Sequence, residues 1–139
     1  MEIQGFENYL IYSDGRVFSK ISNKFLKPCM NSCGYNFVTL CKDGERKHMK
    51  IHRLVGIHYI PNPENKPCID HINRDRSDNR LENLRWATHS ENNQNKGVGK
   101  NNKCGHKNIS YHRKQKLYRY EKMIDGKRII KYFKTLTDA

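Results

Sequence analysis

Short alternations of apolar and polar residues fill the first fifty positions, and none is long enough for more than a brief strand. Tyr9-Leu10-Ile11-Tyr12 and Arg16-Val17-Phe18-Ser19 flank Ser13-Asp14-Gly15, a tight-turn composition, so a β-hairpin is predicted there. Tyr35 to Leu40 alternates, Lys42-Asp43-Gly44-Glu45 supplies a second turn, and Arg46 to Lys50 returns. The period then changes. Ile51, Leu54, Val55 and Tyr59 recur at helical spacing, and Pro61 and Pro63 end the run. A strand ending near Asp70-His71, a loop through Arg74 to Arg80 and a second strand over about Leu84 to Ala87 follow. Thr88-His89-Ser90-Glu91 is a capping-box pattern, with Thr88 at the N-cap and Glu91 at N3, and Gly97 is a natural stop. Asn95 to Lys103 is polar and glycine-bearing, the composition of a linker. Beyond it, Asn108 to His112, Leu117 to Met123 and Arg128 to Phe133 predict a three-stranded meander, with Asp125-Gly126-Lys127 turning between the last two.

These elements predict an α+β protein of small modules in series: residues 1–50, 51–97, a linker at 98–107, and 108–139. The chain has 139 residues, 35% of them hydrophobic, and a mean hydropathy of -0.98, which leaves little for one large core. No run approaches the 18 or so apolar residues of a membrane span, and the first residues lack a basic start followed by an apolar stretch. The expected location is intracellular, the cytoplasm or nucleus of a host, with no membrane partner. Five cysteines without C-x-x-C spacing read as free thiols.

Charge changes the picture more. The net charge is +13, and residues 100–139 hold twelve basic side chains against three acidic ones. A surplus of that size suits a polyanion, because each neutralised phosphate releases condensed counterions. Arg113, Lys114, Arg119, Lys127 and Lys131 are the candidate nucleic-acid contacts. Alternation along Leu117 to Met123 puts Arg119 and Glu121 on one face and Tyr118 and Tyr120 on the other; Lys127 and Lys131 are expected to join Arg119 from the neighbouring strand.

The most specific chemistry lies at Asp70 and His71, with Asn83 twelve positions after the histidine and Asn92 nine positions after that. A carboxylate, an imidazole and two carboxamides so spaced can hold one divalent cation beside a general base, the equipment for hydrolysing a phosphodiester. In Cys68-Ile69-Asp70-His71-Ile72-Asn73, Leu81-Glu82-Asn83-Leu84-Arg85-Trp86-Ala87-Thr88 and Glu91-Asn92-Asn93, the chain resembles the HNH nucleases of phage-type homing endonucleases over about residues 52–97. The resemblance implies a ββα-metal fold. It implies His71 as the base, Asp70 and the Asn92 amide oxygen as ligands of one Mg2+ or Mn2+, and Asn83 as the residue that fixes the loop carrying His71. His89, one turn earlier on the helix of Asn92, is the rival ligand, since residues three apart share a face.

The flanks carry looser resemblances. Gly5-Phe6-Glu7-Asn8-Tyr9 and Asp14-Gly15-Arg16-Val17-Phe18-Ser19 are similar to a small module that often precedes HNH domains, which implies DNA association or a scaffold packed on the nuclease. Residues 108–139 resemble the Apetala or ethylene-response-factor type of DNA-binding domain, whose sheet lies in the major groove. They stop where that family's packing helix begins, so a partial module is expected. The resulting expectation is a metal-dependent endonuclease acting on double-stranded DNA as a monomer, one strand per engagement, with no protein partner. The alternatives are a catalytically inactive DNA-binding protein with the same fold, and an RNA-binding accessory protein.

Overall fold

A computed structural model describes residues 1–99, 101–124 and 126–139. Lys100 of the expected linker and Asp125 of the expected turn lie outside the described residues. The chain divides into two compact units, Met1–Asn95 and Lys96–Ala139.

In the first unit β1 (Glu2–Ile3), β2 (Phe6–Ile11), β3 (Val17–Ser19) and β4 (Lys24–Phe25) form an antiparallel sheet in that order, and β5 (Cys29–Met30), β6 (Asn36–Lys42) and β7 (Glu45–Lys50) form a second. Helix α1 (Ile51–Tyr59) follows directly, then β8 (Cys68–His71), a 3₁₀ turn (Leu81–Asn83), β9 (Leu84–Ala87) and helix α2 (His89–Asn95). The class is α+β, as the hydrophobic pattern predicts. The Thr88 capping box forms as the sequence predicts: Thr88 N–H donates to Glu91 Oε2 at 2.6 Å and Glu91 N–H to Thr88 Oγ1 at 3.1 Å.

The core runs through the whole first unit. Ile3, Tyr9, Ile11, Val17, Val38 and Leu40 from the two sheets join Ile51, Leu54 and Val55 of α1 and Ile69 and Leu84 of the β8–β9 hairpin in one buried cluster. Residues 1–50 and 51–95 therefore share a single hydrophobic interior, which is how a chain with so few apolar residues still builds one. Gly56 sets the closest approach, since a Cβ there would fall 2.0 Å from Ile69 Cδ1, so α1 can lie against β8 only with no side chain at that position. Polar ties complete the docking: Tyr59 Oη–H donates to the Ile11 carbonyl at 2.7 Å, and Leu81 N–H donates to the Ser13 carbonyl at 2.8 Å.

The second unit is an antiparallel meander of β10 (Ile109–His112), β11 (Leu117–Ile124) and β12 (Lys127–Phe133). Its register corrects one expectation. Directly paired residues share a face, and the pairs are Lys131 with Tyr120 and Lys127 with Ile124, whereas Arg119 pairs with Ser110 and Tyr132. Lys127 and Lys131 thus lie on the face of Tyr118 and Tyr120, opposite Arg119. The two-residue period is right; the pairing offset between strands, set by the turn, is what composition alone does not fix.

Candidate active site

Strand β8 pairs antiparallel with β9, so that Asp70 faces Arg85 and His71 faces Leu84 across the hairpin. The strand ends at His71, and both side chains are buried, at 6% and 4% exposure. A buried carboxylate must find hydrogen bonds or charge. Arg85 donates to Asp70 Oδ2 from Nε at 3.2 Å and Nη2 at 2.9 Å, and Asn95 Nδ2 of α2 lies 3.1 and 3.0 Å from the two carboxylate oxygens. The same Asn95 nitrogen reaches the His71 carbonyl at 2.8 Å and the Ile72 carbonyl at 3.5 Å. Four acceptor oxygens therefore converge on one amide nitrogen, which carries two hydrogens.

The loop after β8 is held by its own side chains. Asn83 Oδ1 accepts from Asn73 N–H at 3.0 Å, and Asn83 Nδ2 donates to the Asp78 carbonyl at 2.8 Å, so one carboxamide staples the start of the loop to its far side. Asn73 Nδ2 donates to Asp78 Oδ2 at 3.0 Å, and Ser77 N–H to Asp75 Oδ1 at 2.9 Å. The side-chain hydrogen bond from Arg80 pulls the Asp78 carboxyl down to about 2.

His71 is gripped on two sides. Its Nε2 lies 3.1 Å from Asn79 Oδ1, and its ring meets that of His52 edge to face, with centroids 5.0 Å apart. His52, the second residue of α1, also stacks on Tyr35 at 5.0 Å. Burial first, then the charges of His71, Lys50 and Arg53, push the His52 pKa down to about 3. Tyr35 in turn lies under two cations, Arg76 at 4.9 Å and Lys50 at 5.2 Å from its ring centre.

Asn92 is half-buried on α2, and its carboxamide has no hydrogen bond among the described residues, while Asn95, three positions on, holds Asp70. The His89 ring contacts Cys68 Sγ at 3.3 Å. In the second unit Arg113 and Lys114 are exposed between β10 and β11, Lys127 and Lys131 are exposed on β12, and Arg119 pairs with Glu121 at 2.6 Å, which also meets Arg128 at 3.1 Å. Sequence reasoning missed Arg85, Asn95, Asn79 and His52 as neighbours of the site. Cross-strand register could have found Arg85, and the three-residue spacing from Asn92 could have found Asn95. No sequence signal marks Asn79, because the loop's path brings it to His71.

The donor chemistry fits a hard cation. No group of three His, Cys, Asp or Glu side chains gathers among the described residues. What gathers at Asp70 is its carboxylate with the His71 and Ile72 carbonyl oxygens around the Asn95 amide nitrogen, and the Arg85 guanidinium on Oδ2; the donors there are oxygens, which suit a hydrated Mg2+ or Mn2+ rather than zinc.

Residues 49–94 match the family model described as HNH endonuclease. The chain is 42% identical over 92 residues to the uncharacterized HNH endonuclease L245 of Acanthamoeba polyphaga mimivirus, covering 66% of this chain and 28% of that protein. It is 36% identical over 88 residues to the DNA endonuclease I-HmuI of Bacillus phage SP01, covering 63% of this chain and 51% of that one. Its fold aligns with a solved structure of DNA binding and cleavage by the HNH homing endonuclease I-HmuI at a TM-score of 0.65 and 35% identity, over 68% of this chain and 55% of the other. The chain spans about half or less of the length of these curated relatives.

Proposed function

We propose, because residues 49–94 match the HNH endonuclease family model, that this chain is a metal-dependent endonuclease that hydrolyses phosphodiester bonds of double-stranded DNA, nicking one strand per engagement inside the host cell. The observation that carries the reading is His71 buried beside Asp70 at the end of β8, over a loop stapled by Asn83. His71 takes the proton from the attacking water, the work an imidazole does well near neutral pH. Asp70 and the Asn92 carboxamide oxygen hold one Mg2+ or Mn2+. When bound, that ion offsets the charge that builds on the phosphate and its departing 3′ oxygen. Asn83 keeps the loop in one shape, so the His71 ring does not have to be ordered during the reaction.

The flanks contribute binding. Residues 1–50 act as an endonuclease-associated module that shares the core of the nuclease module at 51–97. After the linker at 98–107, residues 108–139 act as a three-stranded DNA-binding module of the Apetala kind, with Arg113 and Lys114 and one of the two sheet faces, that of Arg119 or that of Lys127 and Lys131, meeting phosphates. The excess charge there supports this reading.

Supercoiled plasmid incubated with the protein and Mg2+, Mn2+ or EDTA tests the proposal. Nicked circles with either ion and intact plasmid with EDTA are expected. Cleavage undiminished by EDTA overturns the metal requirement, and binding without cleavage under every ion overturns the enzyme.

A further inference from the structure

Asn79 is the buried polar residue nearest His71 that has no part in the proposed chemistry, and its burial and two hydrogen bonds define what it does. Its exposure is 6%, its Oδ1 lies 3.1 Å from His71 Nε2, and its Nδ2 donates to the Ser77 carbonyl at 3.0 Å. The last contact fixes the first, because turning the carboxamide over would set Oδ1 against the Ser77 carbonyl oxygen and leave two acceptors facing each other. Oδ1 therefore faces His71. A carbonyl oxygen only accepts, so His71 Nε2 must carry the hydrogen, and the lone pair of the neutral ring is left on Nδ1.

The backing of Asn79 comes from the other end of the sequence. The turn between β2 and β3 places Gly15, with φ +86°, so close that a Cβ there would lie 3.0 Å from Asn79 Cβ, 3.3 Å from the Asn79 carbonyl oxygen and 3.3 Å from Ile51 Cγ2. Ser13, in the same turn, accepts from Leu81 N–H at 2.8 Å, two residues beyond Asn79. The N-terminal hairpin tip is thus the wall against which Asn79 is pressed.

We infer that Asn79 is a positioning residue for His71, setting its tautomer with Nδ1 as the proton acceptor, and that the Ser13–Gly15 turn holds Asn79 in place. The inference rests on the reading of His71 as the base. It gives the N-terminal module a mechanical part in the nuclease centre besides any contact with DNA.

The test uses the full chain labelled with ¹⁵N in histidine, at a fixed pH where His71 is neutral, together with steady-state plasmid nicking. In the unaltered protein the two His71 ring nitrogens should show the shifts of the Nε2–H tautomer. Asn79→Leu should mix the tautomers and lower kcat by about 10²- to 10⁴-fold, the cost of a misdirected base, with KM for DNA little changed. Asn79→Asp retains an acceptor oxygen toward His71 but loses the donor to the Ser77 carbonyl, so it should keep the Nε2–H tautomer and recover only part of kcat. Gly15→Ala, which crowds Asn79 without touching His71, should give an intermediate mixture. A pure Nδ1–H tautomer in the unaltered protein overturns the inference outright, even if Asn79→Leu does not fold. So does an unchanged Nε2–H signal in Asn79→Leu. The two readings fail separately: wild-type nicking by His71→Ala removes the base but leaves the tautomer result standing.

Discussion

The β8–β9 hairpin and the β11–β12 hairpin are both antiparallel ribbons with polar residues, and they use those residues in opposite ways. In the first, Asp70, His71, Asn79 and Asn83 are buried, and each polar side chain is tied to named partners. In the second, Lys127, Lys131 and Tyr132 are exposed, and Ile109 is the buried apolar residue among those described in its unit. A buried polar group is costly unless satisfied, so the first hairpin needs the sheets and α1 behind it to hold one geometry. Exposed lysines cost nothing to solvate and need only be numerous. Chemistry is concentrated where the core is, and charge where it is not.

Breaking the first hairpin should have the larger effect. Removing the base with His71→Ala is expected to slow nicking by about 10²- to 10⁴-fold while leaving DNA affinity within a few-fold of the unaltered protein. Single-turnover plasmid nicking and a filter-binding titration measure the two, and an unchanged nicking rate excludes His71 as the base.

Next comes the cation. Asp70→Ala should abolish saturable Mn2+ binding, read by titration calorimetry, and Asn92→Ala should weaken it about tenfold or more. Asn83→Ala should leave the Mn2+ titration nearly unchanged and loosen residues 73–83, as hydrogen exchange would show. Asn95 now sets the sharper question, because its Nδ2 presses against both Asp70 oxygens. If Asn95→Ala loses Mn2+ and Asn92→Ala does not, the ligand is Asn95.

What the sequence makes legible divides along the same line. The hairpin, the Thr88 cap and the helix at 51–59 are readable because each rests on local spacing, whereas the roles given to Asp70, His71, Asn83 and Asn92 rest on their resemblance to a known pattern and are proposals. Arg85 opposite Asp70 and His52 against His71 depend on strand pairing and helix docking, contacts between residues 15 and 19 positions apart in the chain. Asn79 depends on the path of the nine-residue loop 72–80 and on Gly15, 64 positions earlier. The placement of Lys127 and Lys131 failed for a related reason: one residue of pairing offset moves a side chain to the other face of a sheet.

The three-stranded sheet that holds the second hairpin should yield a graded response. Changing Arg113, Lys114, Lys127 and Lys131 to Gln one at a time should weaken DNA binding modestly and lower the slope of log affinity against log salt by about 0.9 for each phosphate no longer neutralised. The register sharpens the test, since Lys127 and Lys131 share the face of Tyr118 and Tyr120 while Arg119 sits across the sheet, paired with Glu121. If Arg119→Gln alone flattens the slope, the Arg119 face meets DNA. If Lys127→Gln and Lys131→Gln do so, the tyrosine face does. An unchanged slope in every variant moves the DNA contacts to residues 1–99.

The smallest expected effect is on stability, and it belongs to the helix packed on the buried hairpin. His52 has its pKa lowered from 6.5 to about 3, by burial first and then by neighbouring positive charge. A folded-state value below the unfolded one means that the unfolded chain takes up a proton which the folded chain refuses. Stability from this group is therefore fully present above 6.5, falls as the pH drops, and stops changing near 3. The slope is at most about 1.4 kcal/mol per pH unit. Asp75, Asp78 and Glu91 have lowered values of their own and lose stabilisation only as they approach protonation, starting from ordinary values of 3.8, 3.8 and 4.5. The interval from 6.5 to 4.5 therefore isolates His52 from them. Urea unfolding across that interval should show a falling midpoint in the unaltered protein and a flatter one in His52→Phe, which keeps an aromatic ring between Tyr35 and His71 without a proton to take up. Equal slopes in the two proteins would mean that His52 titrates alike folded and unfolded, and that the ring packed on His71 is not shielded from water.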